Sequence, residues 1–233
     1  MDSLPLRQEQ TQVMVNGFIR SVYNWMAIGL ALTGFMAYYV SNNETLLRII
    51  FGNQLIFFGL IIGELAMVFY LSARVYKMKA STATNLFVAY AALNGATLSV
   101  VFLAYTKASI ASTFFVCAAT FVGASLYGWT TKKDLTSWGS FLFMGLIGII
   151  IASVVNLFLH SSAMAMVISY IGVLVFTGLT VYDTQYIKNM ALSQPADAGA
   201  AAIRKGAIIG ALKLYLDFIN LFLMLLRIMG NRE

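Results

Sequence analysis

Four ionisable side chains stand inside long apolar runs of this 233-residue chain: Glu64, Asp183, Lys213 and Asp217. Each costs at least ~2.5–3.5 kcal/mol in a hydrocarbon interior, so by default it marks function. Asp183 lies in TGLTVYDTQYIK and Asp217 in LKLYLDFINLF. Two carboxylates held together in a low-dielectric site do not easily ionise together. They share a proton and titrate as a unit. Such a pair can trade its proton for a cation. Calcium prefers hard oxygen ligands, and two carboxylates with Asn220 or water suit it. Arg74, at the end of YLSAR, is a counter-charge that favours the ionised form and could latch such a site shut.

The spacing of these residues says how they would meet. Gly206, Gly210, Lys213, Asp217, Asn220, Met224 and Arg227 recur at alternating intervals of four and three, which makes one stripe along a helix. The other faces carry Leu, Ile, Phe and Tyr. The stripe either lines a cavity inside a bundle, or Lys213 and Asp217, four apart, only neutralise each other. Asp183 and Asp217 belong to consecutive apolar segments, and a hairpin pairing them centres on residue 200, inside ADAGAAA. Equal depth on the cytoplasmic half is one reading. Separate partners are the other: Asp183 with Arg74 or Lys188, and Asp217 with Lys213. Glu64 either faces the same cavity or pairs with Lys213, and the sequence leaves both open.

The elements that must hold these residues follow from composition. Sixty per cent of the chain is apolar and ten per cent charged, too few charges to cover a soluble core and too much hydrophobicity for disorder. This predicts an all-α integral membrane protein with little outside the lipid bilayer. Seven segments reach the roughly 20 residues a span needs: about 21–40, 53–73, 84–105, 109–130, 138–159, 163–187 and 203–229. They are too apolar to alternate as barrel strands do. Residues 1–20 form a polar N-terminal segment with no signal peptide, and residues 21–230 the seven-helix membrane domain. Pro5 and Pro195 are the only prolines, so few broken helices are expected.

The net charge of +6 suits loops that set topology better than a nucleic-acid surface. Ten Lys and Arg fall on the side of the N-terminus and four on the other, with Lys213 inside a span. That orients the N-terminus to the cytoplasm and, with seven spans, the C-terminus outside. Cys117, the single cysteine, excludes an internal disulfide and reads as a small buried apolar residue. His160 reads as structural. Tyr182, Tyr186 and Tyr215 read as interfacial anchors. Gly59 with Gly63, and Gly145 with Gly148, suit close helix packing.

Several motifs resemble the Bax inhibitor-1 family, also called transmembrane Bax-inhibitor-motif proteins. They are AALNGATLS in the third span, SLYGWTTKKDLTSWGSFLFMGLIGIIIASVVNLF across the fourth and fifth, VYDTQ in the sixth and LYLDFINLF in the seventh. The longest is typical of bacterial members, and the likeness runs from about Tyr23 to Gly230. The resemblance implies seven helices with the last one central and wrapped by the other six. It implies a pH-sensitive calcium leak, with the paired aspartates at Asp183 and Asp217, the nearby arginine at Arg74 and a glutamate earlier in that helix at Glu64. The loop NMALSQPADAGAAAIRKGA is longer than in the shortest bacterial members. Some bacterial members instead bind and restrain a membrane-bound ATP-dependent protease.

Three classes of function are therefore compared. A proton-gated cation leak uses the acidic pair, with Ca2+ and protons as its ligands and no resident cofactor. An interaction protein would present a cytoplasmic determinant on residues 1–20 or on the last loop. An intramembrane aspartyl protease also carries two aspartates on its sixth and seventh helices, but Asp217 sits in LYLDF without GxGD, and no proline motif follows it. The expectation is a non-enzymatic protein of the bacterial inner membrane.

Overall fold

Runs of straight-chain and small apolar residues, nearly free of proline, form helices almost throughout. The computed structural model describes residues 3–195 and 199–232. Residues 196–198 of the expected last loop, and residues 1 and 2 of the polar segment, lie outside the described residues. Nine α-helices are present among those described: α1 (Ser3–Ser41), α2 (Glu44–Phe51), α3 (Gln54–Arg74), α4 (Ala80–Leu98), α5 (Val101–Ala104), α6 (Lys107–Thr130), α7 (Thr136–Leu159), α8 (Ser162–Leu192) and α9 (Ala200–Met229), with a 3-10 turn at Val75–Lys77. Among the described residues the β-type pairing is an isolated bridge between Tyr105 and Arg232.

Side-chain oxygens fix several helix starts. Asn43 Oδ1 accepts from Leu46 N at 3.1 Å, Asn53 Oδ1 from Leu55 N at 2.9 Å, and Thr106 Oγ1 from Ser109 N at 3.3 Å, each satisfying an amide that the helix leaves open. The Asn43 cap explains α2, a helix within what the sequence reads as the loop NNETLLR. At the far end of α7, His160 closes the helix in the left-handed conformation at φ 49°, so its structural role is that of a cap.

The third expected span is interrupted without a proline. Ser99 Oγ donates to Ala96 O at 2.7 Å, and Phe102 N and Leu103 N bond three residues back, to Ser99 O and Val100 O. A serine hydroxyl competing for a backbone carbonyl tightens the chain there, and α4 gives way to α5.

Six helical stretches are long and apolar enough to cross a membrane: Gln54–Lys77, Ala80–Ala104, Lys107–Thr130, Thr136–Leu159, Ser162–Leu192 and Ala200–Met229. They match the second to seventh expected spans. The expected first span is the latter half of α1, which runs through residue 20 without a break. Asn24, Thr33, Gly29, Gly34, Tyr23, Trp25, Tyr38 and Tyr39 lower its hydropathy. At 39 residues α1 is ~58 Å long, and its buried residues, Val15, Phe18, Val22, Met26, Thr33, Ala37 and Val40, form one stripe. Of the six, α9 is the most enclosed: 61% of its most apolar stretch is buried, against 11–39% for the others.

The chain divides into two units, Met1–Ala104 with Lys188–Tyr215, and Tyr105–Ile187 with Leu216–Glu233. In the first, α4 packs against α1 and α3, and α2 packs against α1 and α3. The tightest approach is at Gly95, where an added Cβ would stand 2.5 Å from Thr33 O and 2.7 Å from Met36 Cβ. In the second, Thr106 N donates to Asn231 O at 3.1 Å and Asn231 N to Ser109 Oγ at 2.9 Å, tying the end of the chain to the start of α6.

Candidate functional site

The VYDTQ segment of α8 is positioned residue by residue in the second unit. Tyr182 lies against Gly139 of α7, where an added Cβ would collide with the ring. Thr184 Oγ1 donates to Ser125 Oγ of α6 at 3.4 Å. Gln185 grips the turn before α7 with both ends of its amide: Nε2 donates to Lys133 O at 2.8 Å, and Oε1 accepts from Leu135 N at 2.9 Å. These neighbours fix the rotation of α8, and Asp183 is buried among them at 6% exposure.

Asp217 is equally buried, at 5%. The register of α8 on α9 is set where Gly172 meets Met224: a Cβ on Gly172 would sit 2.8 Å from Met224 Cγ. Asp183 follows Gly172 by eleven residues, about three full turns, so both share a face of α8. Asp217 precedes Met224 by seven residues, about two turns, so both share a face of α9. Eleven residues span ~16.5 Å and seven ~10.5 Å, a difference in level of ~6 Å, about one turn. Helical side chains lean toward their own N-termini, and in an antiparallel pair of helices those lie in opposite directions. A hairpin that matches Gly172 to Met224 centres on residue 198 and not 200, which is why the two levels are offset rather than equal.

The other expected site residues are distributed as follows. Asn220 is half-buried and spends its amide on its own helix, donating to Leu216 O at 2.8 Å. Lys213 is half-buried on α9. Arg74 is exposed at the C-terminal end of α3, where a cation favours the helix dipole. Among the described residues no three His, Cys, Asp or Glu side chains gather closely enough to hold a metal ion.

Glu64 is buried in a cluster of the first unit that sequence reasoning did not assemble. Its Oε1 accepts from Thr97 Oγ1 at 3.0 Å and its Oε2 lies 3.3 Å from Asn94 Nδ2. Asn94 Oδ1 lies 3.0 Å from Tyr215 Oη, which in turn lies 2.7 Å from Thr33 Oγ1, and Thr33 Oγ1 is 2.8 Å from Ala91 O. Tyr215 is fully buried, its ring edge-on to Phe87 and Tyr90 at 5.9 and 5.7 Å. It is a core hydrogen-bonding residue and not an interfacial anchor, because its hydroxyl finds partners on two other helices, α1 and α4. Tyr186, 42% exposed, suits the anchor reading better. Asn94 and Thr97, three apart on one face of an apolar span, were the available signal.

The glycine motifs also divide. At Gly59, Gly63 and Gly148 no atom stands within 4 Å of an added Cβ, and at Gly145 one Val175 methyl lies at 3.1 Å. Close packing uses Gly95, Gly128, Gly139 and Gly172 instead, each facing backbone or a bulky side chain. Cys117 is buried on α6, with Sγ 3.7 Å from Phe218 O of α9.

A family model described as inhibitor of apoptosis-promoting Bax1 matches residues 15–233. The chain is 50% identical to inner membrane protein YbhL of Escherichia coli strain K12, across the whole of both chains. It is 46% identical to an uncharacterized protein of Borreliella burgdorferi, over 99% of each. A third relative, an uncharacterized protein of Deinococcus radiodurans, is 42% identical over 100% of this chain and 98% of its own.

Proposed function

The chain belongs to the Bax inhibitor-1 family, and from that premise we propose that it is a pH-sensitive leak for calcium across the bacterial inner membrane, gated by Asp183 and Asp217. The observation that carries this reading is the burial of both carboxylates, at 6% and 5% exposure, on the consecutive helices α8 and α9. The printed name of the Escherichia coli relative supports the inner membrane. In this reading the latter half of α1 is a seventh span, α9 is the central helix and the N-terminus is cytoplasmic.

The chemistry follows from the pair. Two carboxylates offer at most four oxygens, and calcium takes six to eight. Water and Asn220 Oδ1 complete the shell, so the ion is held weakly enough to leave. With one shared proton the pair carries one negative charge. A second proton removes the attraction for the cation and loosens the closure that a counter-charge, Arg74 or Lys213, maintains. Loss of the shared proton creates repulsion that calcium relieves.

Calcium uptake into proteoliposomes, measured from about pH 5 to 8 to bracket the range where shared carboxyls titrate, tests this. Asp183→Asn and Asp217→Asn should each remove most of the pH dependence, and Arg74→Ala should raise the basal leak. A pH profile unchanged in both asparagine variants would falsify the di-aspartate gate.

A further inference from the structure

The Glu64 cluster supports a separate argument, from counting protons. Four short contacts run through it in a chain: Thr33 to Ala91 O at 2.8 Å, Thr33 to Tyr215 at 2.7 Å, Tyr215 to Asn94 at 3.0 Å and Asn94 to Glu64 at 3.3 Å. Thr97 stands beside the chain, its hydroxyl 3.0 Å from both Glu64 Oε1 and Asn94 O. Each contact of the chain needs one proton between its heavy atoms. Thr33 and Tyr215 bring one hydroxyl proton each, and the Asn94 amide aims one hydrogen at one neighbour and its oxygen at the other. That makes three protons for four contacts. If Glu64 is ionised, Asn94 must turn its NH2 to the carboxylate and its oxygen to Tyr215. Tyr215 then spends its proton on Asn94. Thr33 has one proton for both Tyr215 and Ala91 O, so one close oxygen pair faces without a hydrogen.

A proton on Glu64 removes the deficit. The acid O–H donates to Asn94 Oδ1, Asn94 Nδ2 to Tyr215 Oη, Tyr215 to Thr33 Oγ1, and Thr33 to Ala91 O. All four contacts of the chain are filled, and the direction of donation is reversed. The amide ends are nearly the same shape, so the turn needs no extra room. We propose that Glu64 is a proton-binding site whose loading reverses a hydrogen-bond chain across α3, α4, α9 and α1, through an end-for-end turn of the Asn94 amide.

The titratable groups facing Glu64 are the phenols of Tyr90 on α4 and Tyr215 on α9. Lys213 precedes Tyr215 by two residues and so projects about 200° away around α9. The site is built from residues of one unit and uses neither Asp183 nor Asp217. It carries the proton state of a buried acid to the Thr33–Ala91 contact, where α1 meets α4.

Infrared difference spectra of the full chain in lipid nanodiscs, from about pH 4 to 9 to span the range in which a shifted carboxyl titrates, test the proposal. A protonated-carboxyl carbonyl band should appear on acidification and shift when glutamate, but not aspartate, is labelled with 13C. Glu64 is the glutamate within a membrane-length helix, so this assignment needs no variant. The 15N signal of the Asn94 side-chain amide should move with the same midpoint. Glu64→Gln supplies the missing hydrogen from its own amide; it should abolish the band and leave the Asn94 signal independent of pH. A band that follows aspartate label, a band that survives in Glu64→Gln, or an Asn94 signal that stays fixed while the band titrates each overturns it.

Discussion

At the scale of single residues, the decisive feature is where a side chain or its absence meets another helix. Gly95 sits against the Thr33 backbone and Met36, so Gly95→Ala should lower stability by about 1–3 kcal/mol through overpacking. Gly59 has open space around it, and Gly59→Ala should be neutral or stabilise by up to ~1 kcal/mol through helix propensity. Thermal unfolding in one detergent compares them, and equal shifts would contradict the assignment. The sequence alone supports the opposite choice, because Gly59 and Gly63 make the tidier motif. Spacing along one helix says which residues share a face, but not whether that face meets protein or lipid. Tyr215 shows the same limit: its partners Thr33 and Asn94 are 182 and 121 positions away. What can be read from one helix, the burial of Asp217 within the polar stripe, is there in the structure.

At the scale of elements, helix ends are set by a few polar atoms. The first turn of α7 is held by Asp134, whose Oδ1 accepts from Thr136 N at 2.9 Å and Thr136 Oγ1 at 2.6 Å. The Thr136 hydroxyl, then its amide, hold the exposed Asp134 carboxyl below the usual carboxylate range. A lowered folded-state value means that this cap is complete above the ordinary ~3.9 and is lost as pH falls through the lowered value. Amide protection in the first turn of α7, taken relative to intrinsic exchange, should therefore be lost only as pH falls through that lowered value, below the usual carboxylate range. Asp134→Asn, which keeps an acceptor that does not titrate, should remove that loss; persistence in that variant would place the cause elsewhere. Caps of this kind are legible when an Asx or Ser/Thr residue precedes an apolar run, as Asn53 does before α3. Asn43 gave the same signal ahead of α2, but eight residues between two spans read more readily as loop. The break after α4 was not legible, since a serine within an apolar run is usually tolerated.

At the scale of the whole molecule, the number of crossings decides where the chain ends. Six helical stretches have the length and hydropathy of spans, and the latter half of α1 is the seventh in the proposed arrangement. An odd number puts the two termini on opposite sides; an even number puts them on the same side. Reporter fusions at each end, one active only in the cytoplasm and one only outside, should read cytoplasmic at the N-terminus and external at the C-terminus. Both ends on one side would remove α1 from the membrane and leave the Lys and Arg asymmetry to be explained by six spans. Hydropathy resolves the second to seventh spans because their apolar runs outweigh the few polar residues inside them, Glu64, Asp183 and Asp217 among these. It falls short at α1 because Asn24, Thr33, three tyrosines and two glycines fall within its apolar half.

The sulfur of Cys117 gives the chain a built-in chemical clock. It is the only thiol in the sequence, fully buried and directed at Phe218 O. A membrane-permeant alkylating reagent can reach it only when α6 and α9 separate, so every adduct records one such event, with no engineered handle and no second site to subtract. With reagent in such excess that alkylation outpaces reclosing, the rate of mass gain under native conditions is the rate at which that helix pair comes apart, and a cysteine introduced anywhere on the surface is read against a silent background.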